Sequence, residues 1–284
     1  MSQEQIAPYG QAAETPKTRS RIRIPHLRQM KEKGQKWAML TAYDMYTAAI
    51  FEEVGIPVLL VGDSASNNVF GNETSLPVTV DELLPLVRAV SRSTRRPLII
   101  ADLPFGSYQA SPKQCFKTAA RFMKEGGAHA VKLEGGPEIL PQVRKLVSSG
   151  IPVMAHIGFT PQAEHQLGGY RVQGRGEEAR QLLDTARAFE DAGAFGLLIE
   201  MIPESVAADI TKAVSIPTVG IGAGRYCDAQ VLVWQDMAGL RTGRLPRFVK
   251  QYADMRSVLH NAARDYMADV ETGIFPAVEH GFEV

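Results

Sequence analysis

Cysteine is scarce in this sequence, and long apolar runs are absent from it. Only two of the 284 residues are cysteines, Cys115 and Cys227, which lie far apart and follow no metal-ligand spacing. They are typical of free thiols in a reducing compartment. No apolar run approaches the roughly 20 residues of a membrane-spanning helix, and the first residues lack the apolar block of a signal peptide. We therefore expect a cytoplasmic protein with no membrane partner.

Net charge and aromatic side chains are also in short supply. The chain has 31 basic and 31 acidic residues, a formal net charge of +0, and only 7% aromatic residues. A basic surface for nucleic acid is therefore not predicted, and neither is an aromatic platform on which bases could stack. The hydrophobic fraction of 45% is ordinary for a globular protein. We expect no nucleic-acid partner.

Five short apolar runs in the chain each end in a polar residue. A short apolar run bounded by Pro or Gly is typical of a strand buried on both faces. The polar residues that follow these runs are Asp63, Asp102, Glu134, His156 and Glu200. Parallel sheets and barrels place their active sites at the carboxyl ends of the strands. The pattern therefore predicts one site assembled from separate strands.

Strand-like and helix-like segments alternate about eight times, with short connections between them. This alternation predicts a (β/α)₈ TIM barrel, and an open doubly wound sheet is the alternative. We interpret residues 1–22 as a flexible tail and residues 23–284 as a single barrel domain, with a helix at 25–34 before the first strand and extra helices after about 247. The predicted strands are 37–41, 57–61, 97–101, 130–134, 152–156, 196–200, 217–221 and 231–234.

Two long connections and three helix starts stand out within this pattern. Segments 64–79 and 157–176 are long enough to be functional loops, and the second is too rich in Gly to predict regular structure. Asp44, Thr79 and Ser111 each precede a helical pattern, as N-cap residues do.

Three of the strand-end residues, Asp63, Asp102 and Glu134, are carboxylates. Carboxylate oxygens suit a hard divalent cation such as Mg²⁺, and without a cation converging acids raise one another's pKa. The alternative is that each acid only caps a helix or lies in a surface loop. A shared position at the strand ends favours a metal site.

Lys132 and Glu134 are two residues apart on one predicted strand and therefore share a face, while Leu133 points the other way. We expect the charged pair to point into the barrel, where it forms either a structural ion pair or a contact for an anionic substrate. Glu200 is a candidate general base, with a plain loop acid as the alternative. His156 either donates a hydrogen bond to substrate or packs as a core histidine.

Seven longer motifs resemble one known family, the ketopantoate hydroxymethyltransferases, over residues 30–280. They are Leu-Thr-Ala-Tyr-Asp at 40–44, Leu-Val-Gly-Asp-Ser at 60–64, Leu-Pro-Val-Thr-Val at 76–80, Ala-Asp-Leu-Pro-Phe at 101–105, Val-Lys-Leu-Glu-Gly-Gly at 131–136, Gly-Tyr-Arg-Val-Gln-Gly-Arg-Gly at 169–176 and Gly-Ile-Gly-Ala-Gly at 220–224. One departure is Ala163, where many members carry Ser, and it concerns the conformation or folate contacts of that loop.

The resemblance implies a Mg²⁺-dependent (β/α)₈ barrel that forms homo-oligomers, commonly decamers. The implied reaction transfers a hydroxymethyl group from 5,10-methylenetetrahydrofolate to 3-methyl-2-oxobutanoate, through a Mg-stabilised enolate. The product is 2-dehydropantoate, on the route to pantothenate and coenzyme A.

Residue by residue, the resemblance also implies roles for the strand-end groups. Glu200 matches the family's proton acceptor, and His156 matches a histidine that lines the pocket. The metal-associated acids match Asp63, Asp102 and Glu134. The keto-acid contacts match Asp63, Ser64, Asp102 and Lys132. Two other functions remain open at this point: a lyase or mutase of the isocitrate lyase and phosphoenolpyruvate mutase type, and a barrel that binds a metabolite without catalysis.

Overall fold

Eight parallel strands close into a barrel in the computed structural model, which describes residues 20–282. The first strand closes the barrel because it pairs with both the second and the last strand: Met39 lies opposite Val58 on one side and Val231 on the other. The predicted barrel is therefore confirmed, and the open sheet is wrong. The strands are β1 Trp37–Thr41, β2 Val58–Val61, β3 Leu98–Asp102, β4 Ala130–Glu134, β5 Val153–Gly158, β6 Gly196–Glu200, β7 Thr218–Ile221 and β8 Ala229–Leu232.

Helices connect the strands, and one helix precedes β1 as predicted. They are α1 Ile24–Glu32, α2 Met45–Glu53, α3 Ala65–Asn68, α4 Val80–Ser93, α5 Pro112–Arg121, α6 Leu140–Ser148, α7 Glu164–Leu167, α8 Glu178–Asp191, α9 Glu204–Ala213, α10 Trp234–Met237 and α11 Met255–Thr272. A π-helical turn, Phe122–Gly126, extends α5, and 3₁₀ turns occupy Pro137–Ile139, Pro161–Ala163 and Val278–His280.

The predicted N-caps are confirmed. Asp44 Oδ1 accepts hydrogen bonds from the backbone N–H groups of Tyr46 at 2.8 Å and Thr47 at 2.9 Å. Ser111 accepts one from Gln114 N at 3.1 Å. The side chain of Thr79 likewise accepts from the third residue of α4. Each cap pairs donors that the helix itself leaves free, which stabilises the helix by about 1 kcal/mol.

Alternation along the strands produces two apolar layers. On β3, Ile99 and Ala101 pack outward against the helices, while Leu98 and Ile100 pack inside the barrel. The inner layer lies at the amino ends of the strands and is closed by Leu27 of α1, which is fully buried. The inward positions at the carboxyl ends are polar, and these positions form the site.

Two predicted boundaries are wrong. β8 begins at Ala229, two residues before the predicted 231–234, because the strand follows the alternation of buried Ala229 and Val231 around exposed Gln230 rather than the continuous apolar run. Trp234 begins α10 instead. The last helix begins at Met255, not near 247.

The two long connections contain regular structure that the sequence did not indicate. The first includes α3. The second, predicted to lack regular structure, contains the end of β5, the turn Pro161–Ala163 and α7. Proline suits the first position of a helical turn, and Gly168 ends α7 in the left-handed conformation, with φ of 72°.

Most of the predicted tail, residues 1–19, lies outside the described residues. At its described end Ile22 is buried and donates its N–H to the carbonyl of Arg96 at 2.7 Å. At the other terminus α11 buries none of its side chains. Within residues 20–282, no helix combines the length and apolar character that crossing a membrane requires.

Candidate active site

The barrel brings all the predicted strand-end residues together at one mouth. Adjacent strands place Asp102 beside Lys132 and Glu134 beside His156 in the register of the sheet. The loop after β2 adds Asp63, whose backbone N–H donates to Asp102 Oδ2 at 2.9 Å. The predicted convergence of these side chains is therefore confirmed.

Lys132 lies at the centre of this cluster. Its Nζ is 3.1 Å from Asp102 Oδ1, 3.3 Å from Glu134 Oε1 and 3.2 Å from His156 Nδ1. The inward orientation of Lys132 and Glu134 is thus confirmed. Burial by itself lowers the pKa of Lys132, but the negative charges of Asp102, Glu134 and Asp63 outweigh it and hold this pKa above its usual range. The lysine is therefore charged at neutral pH.

His156 connects the cluster to Glu200. Its Nδ1 is 3.1 Å from Glu134 Oε1, and its Nε2 is 3.4 Å from Glu200 Oε2, a contact without hydrogen-bond geometry. Burial and the charge of Lys132 lower the pKa of His156, but the carboxylates of Glu134 and Glu200 outweigh them and raise it to about 9. His156 is therefore a protonated residue within the charged cluster.

Glu200 lies at the more open side of the cluster. Its side chain is 12% exposed, compared with 2–3% for Asp102, Lys132 and Glu134. A group that exchanges protons with a bound substrate needs this kind of access. The His156 contact was not visible in the sequence, because the two residues belong to different strands.

The three acids differ in their affinity for protons. Burial and the neighbouring charges of Glu134 and Asp102 raise the pKa of Asp63 well above its usual range, and burial raises that of Asp102. Burial has the same tendency for Glu134, but Lys132 and His156 overcome it and lower its pKa. Asp63 and Asp102 therefore bind a proton more readily than Glu134 does.

Asp63, Asp102 and Glu134 fit a hard cation in chemistry, although they are not arranged around one here. All three are buried and offer only oxygen donors. Asp102 Oδ1 is buried, accepts no hydrogen bond from residues 20–282 and lies 3.1 Å from Lys132 Nζ. Across the part of the chain that the structure describes, no three His, Cys, Asp or Glu side chains form a group that could hold a metal ion.

Ser64 and Tyr43 form a hydroxyl pair beside the acids. Ser64 Oγ is 2.8 Å from Tyr43 OH, and Tyr43 is buried at the end of β1. Burial raises the pKa of Tyr43, so its hydroxyl stays protonated. Tyr43 was not among the predicted site residues, although it follows the end of β1 by two residues, as Asp63 follows the end of β2.

Gln162 is a second residue that the sequence did not single out. Its side-chain Nε2 donates to Asp63 Oδ2 at 2.8 Å, and its backbone N–H donates to Glu134 Oε2 at 3.1 Å. Buried Tyr108 contacts both Gln162 and the backbone of Glu134. No local signal marks Gln162, since it is neither charged nor placed at the end of a strand.

Comparison with known sequences identifies close relatives. The family model described as "Ketopantoate hydroxymethyltransferase" matches residues 21–278. A 3-methyl-2-oxobutanoate hydroxymethyltransferase of Nocardioides sp. is 68% identical over 289 residues, covering 99% of this chain and 98% of the relative. One of the same name from Saccharopolyspora erythraea is 61% identical over 280 residues, covering 99% and 94%.

Comparison with solved structures concerns the fold alone, because sequence identity is low. A phosphonopyruvate hydrolase in complex with oxalate and Mg++ matches with a TM-score of 0.58 and 14% identity, covering 92% of each chain. A 2,3-dimethylmalate lyase of the PEP mutase/isocitrate lyase superfamily matches with a TM-score of 0.56 and 16% identity, covering 90% of this chain and 89% of the other. These matches support the barrel fold, and the sequence comparison shows the family.

Proposed function

The chain belongs to the ketopantoate hydroxymethyltransferase family, and from this premise we propose that its barrel transfers a hydroxymethyl group from 5,10-methylenetetrahydrofolate to 3-methyl-2-oxobutanoate, forming 2-dehydropantoate. One observation carries the proposal: the chain is 68% identical to a relative of that name over nearly its whole length. The charged cluster supports it, because a keto acid needs a cationic partner for its carboxylate and a base near its C3.

The cations of the cluster fit the anionic end of the keto acid. Lys132 is protonated and buried, so its charge is poorly screened and favours a carboxylate. The hydroxyl of Ser64, supported by Tyr43, and the carboxylate of Asp63 lie at the same mouth. Through them the substrate would be oriented with its keto group toward the acids.

Glu200 is our candidate for the group that removes the proton from C3. Its carboxylate lies 3.4 Å from His156 Nε2, and its side chain is 12% exposed, so a bound substrate can reach it. The electron pair left on C3 forms the new carbon–carbon bond to the methylene carbon, and both bonds from that carbon to the folate nitrogens break. One water supplies the hydroxyl group, and its other proton and the proton from C3 end on the two nitrogens. Tetrahydrofolate is the second product.

Asp63, Asp102 and Glu134 are the residues that would hold Mg²⁺. A bound Mg²⁺ would supply Lewis-acid polarisation of the keto oxygen, and such stabilisation of developing charge contributes several kcal/mol. The three buried carboxylates, and the Oδ1 atom of Asp102 that lacks a hydrogen bond, support the assignment. Lys132, which now contacts Asp102 and Glu134, would have to yield part of these contacts.

The proposal is tested by incubating the purified protein with 3-methyl-2-oxobutanoate, Mg²⁺ and 5,10-methylenetetrahydrofolate labelled with ¹³C at the methylene carbon. We expect the label to appear in the hydroxymethyl group of 2-dehydropantoate by NMR. Omitting folate should stop transfer but allow exchange of the C3 proton with D₂O. Turnover to other products without folate would favour the lyase or mutase type, and no exchange at all would favour a metabolite-binding barrel.

A homo-oligomer is also part of the proposal, and the last helix supports it. α11 has 18 residues and buries none of them, although it carries large apolar side chains such as Leu259, Tyr266 and Met267 at 54–60% exposure. Apolar surface of this extent is typical of a subunit interface. A decamer is the size that the family resemblance implies, and sedimentation analysis tests it. Free Cys115 and Cys227 support a cytoplasmic location.

A further inference from the structure

Gln162 lies among the proposed metal ligands without being one of them. It belongs to the turn Pro161–Ala163, in the segment after β5. Its side chain is buried and reaches Asp63, 99 residues away in the sequence. The position of this uncharged side chain among charged groups calls for a physical explanation.

Both the nitrogen and the oxygen of the Gln162 side-chain amide form hydrogen bonds. Its Nε2 donates to Asp63 Oδ2 at 2.8 Å and to the carbonyl of Leu103 at 3.0 Å. Its Oε1 accepts from Tyr108 OH at 2.8 Å and from Gln109 Nε2 at 3.2 Å. An amide offers donors and an acceptor together, whereas an ionised carboxylate offers only acceptors. The two sets of partners therefore fix which way the amide faces.

The backbone of the same residue holds a second acid. Gln162 N donates to Glu134 Oε2 at 3.1 Å, while the other oxygen of Glu134 contacts Lys132 and His156. One residue thus restrains carboxylates that arrive from β2 and from β4. Because these acids repel each other, each restraint opposes their separation.

We propose that Gln162 is a positioning residue that ties Asp63 and Glu134 to one segment and so keeps these two acids close enough for one divalent cation to bind both. It also links the segment after β5 to the acids, so ordering of that segment and cation binding stabilise each other. The inference rests on the proposed function, because it takes these acids as the cation site. Removing hydrogen-bond partners that orient metal-binding carboxylates typically weakens metal binding about 10–100-fold.

The test compares Gln162→Met with Gln142→Met in the full-length protein. Gln142 is a matched control, since it is a buried glutamine whose Nε2 donates to the carbonyl of Gln109 and contacts none of the acids. Binding of MgCl₂ alone is measured by calorimetry, and C3-proton exchange of 3-methyl-2-oxobutanoate is measured against Mg²⁺ concentration. Thermal denaturation reports the stability of each variant.

We expect Gln162→Met to raise the Kd for Mg²⁺ about tenfold or more and to shift the Mg²⁺ dependence of exchange by the same factor. Gln142→Met should leave both unchanged, even if it lowers the melting temperature equally. Equal Mg²⁺ binding by Gln162→Met and the wild type would overturn the inference. A shift of the same size in Gln142→Met would also overturn it, because the effect would then be general loosening.

Tyr108→Phe provides a second variant that keeps the proposal testable if Gln162→Met does not fold. It removes the hydroxyl that Gln162 Oε1 accepts from, so we expect a smaller shift of the Mg²⁺ Kd in the same direction. An unchanged Kd in this variant would contradict the inference. If the wild-type protein neither binds Mg²⁺ nor exchanges the C3 proton, the proposed function itself is overturned. If the wild type does both and the variants bind Mg²⁺ equally well, only the inference about Gln162 is overturned.

Discussion

The two ends of the barrel interior are built from the same strands but have opposite chemistry. On β3 the inward side chain changes from Ile100 in the apolar layer to Asp102 in the charged cluster. On β5 it changes from Met154 to His156 in the same two-residue step. Apolar packing stabilises the amino end, and charge pairs connect the side chains at the carboxyl end. The amino end therefore contributes to the stability of the fold, and the carboxyl end provides the groups for the reaction.

Two histidines express the same contrast. At the amino end of β4, His129 accepts a hydrogen bond from Ile99 N at 2.9 Å and contacts Arg21 at 2.7 Å. Burial first, and then the charges of Arg21 and Arg23, lower the pKa of His129 to about 4. At the other end, the acids raise the pKa of His156 to about 9. The protein therefore keeps one histidine neutral and the other protonated near pH 7.

The largest effect is expected for Glu200→Gln at the charged end. Removing the base should lower the rate of C3-proton exchange into D₂O about 10²–10⁴-fold, while keto-acid binding measured by calorimetry persists. Glu204→Gln is the matched control, because Glu204 lies close in sequence but is partly exposed and pairs with Arg225. Exchange at the wild-type rate in Glu200→Gln would show that another group is the base.

At the apolar end we expect an effect on stability and none on the chemistry. Leu27→Ala removes a fully buried side chain that closes the barrel, and such truncations cost about 2–5 kcal/mol of unfolding free energy. Chemical denaturation measures the loss, and exchange per folded molecule should be unchanged. Ile50→Ala, at an exposed position, should change stability by less than about 0.5 kcal/mol. A large loss of exchange in Leu27→Ala would break the division between the two ends.

Asp102→Asn sharpens the comparison within the charged end. The amide keeps the shape but removes a charge beside Lys132, so the half-saturating Mg²⁺ concentration for exchange should rise by at least about tenfold. Asp236→Asn is the control, since Asp236 is also a buried acid, with its pKa raised by burial, but pairs with Arg241. If the Mg²⁺ titration of Asp102→Asn does not move, Asp102 is not a ligand.

The smallest effect concerns pH and His129. Its folded pKa of about 4 lies below the ordinary 6.5, so the unfolded chain binds the extra proton first as pH falls. The stability associated with neutral His129 is fully present above about pH 6.5 and is lost between 6.5 and 4. Allowing for the partial exposure of this histidine, we expect about 1–2 kcal/mol over that window.

The measurement is unfolding free energy at pH 7 and pH 5 for the wild type and His129→Gln. The variant cannot titrate there, so its stability should fall less on acidification. Identical pH dependence in the two proteins would mean that His129 is not held neutral by Arg21 and Arg23. The proposed contrast between a neutral His129 and a protonated His156 would then be wrong.

The sequence by itself determined the barrel and the meeting of the strand-end side chains. Apolar runs that end in Asp102, Glu134 and Glu200 are local patterns, and parallel strands necessarily bring their carboxyl ends to one edge. The inward direction of Lys132 also followed from the two-residue period of a strand. These conclusions need only the backbone geometry of each strand, which neighbouring residues encode.

Only the tertiary structure decided which groups touch and which protons they keep. The contact between His156 and Glu200 joins two strands, and Gln162 reaches Asp63 from a loop whose path no local pattern specifies. The state of His156 depends on the balance between burial, Lys132 and the acids around it. These pKa values depend on distances of a few ångströms between residues far apart in the sequence, because electrostatic energy depends on separation and on the exclusion of water. Local sequence patterns specify neither quantity.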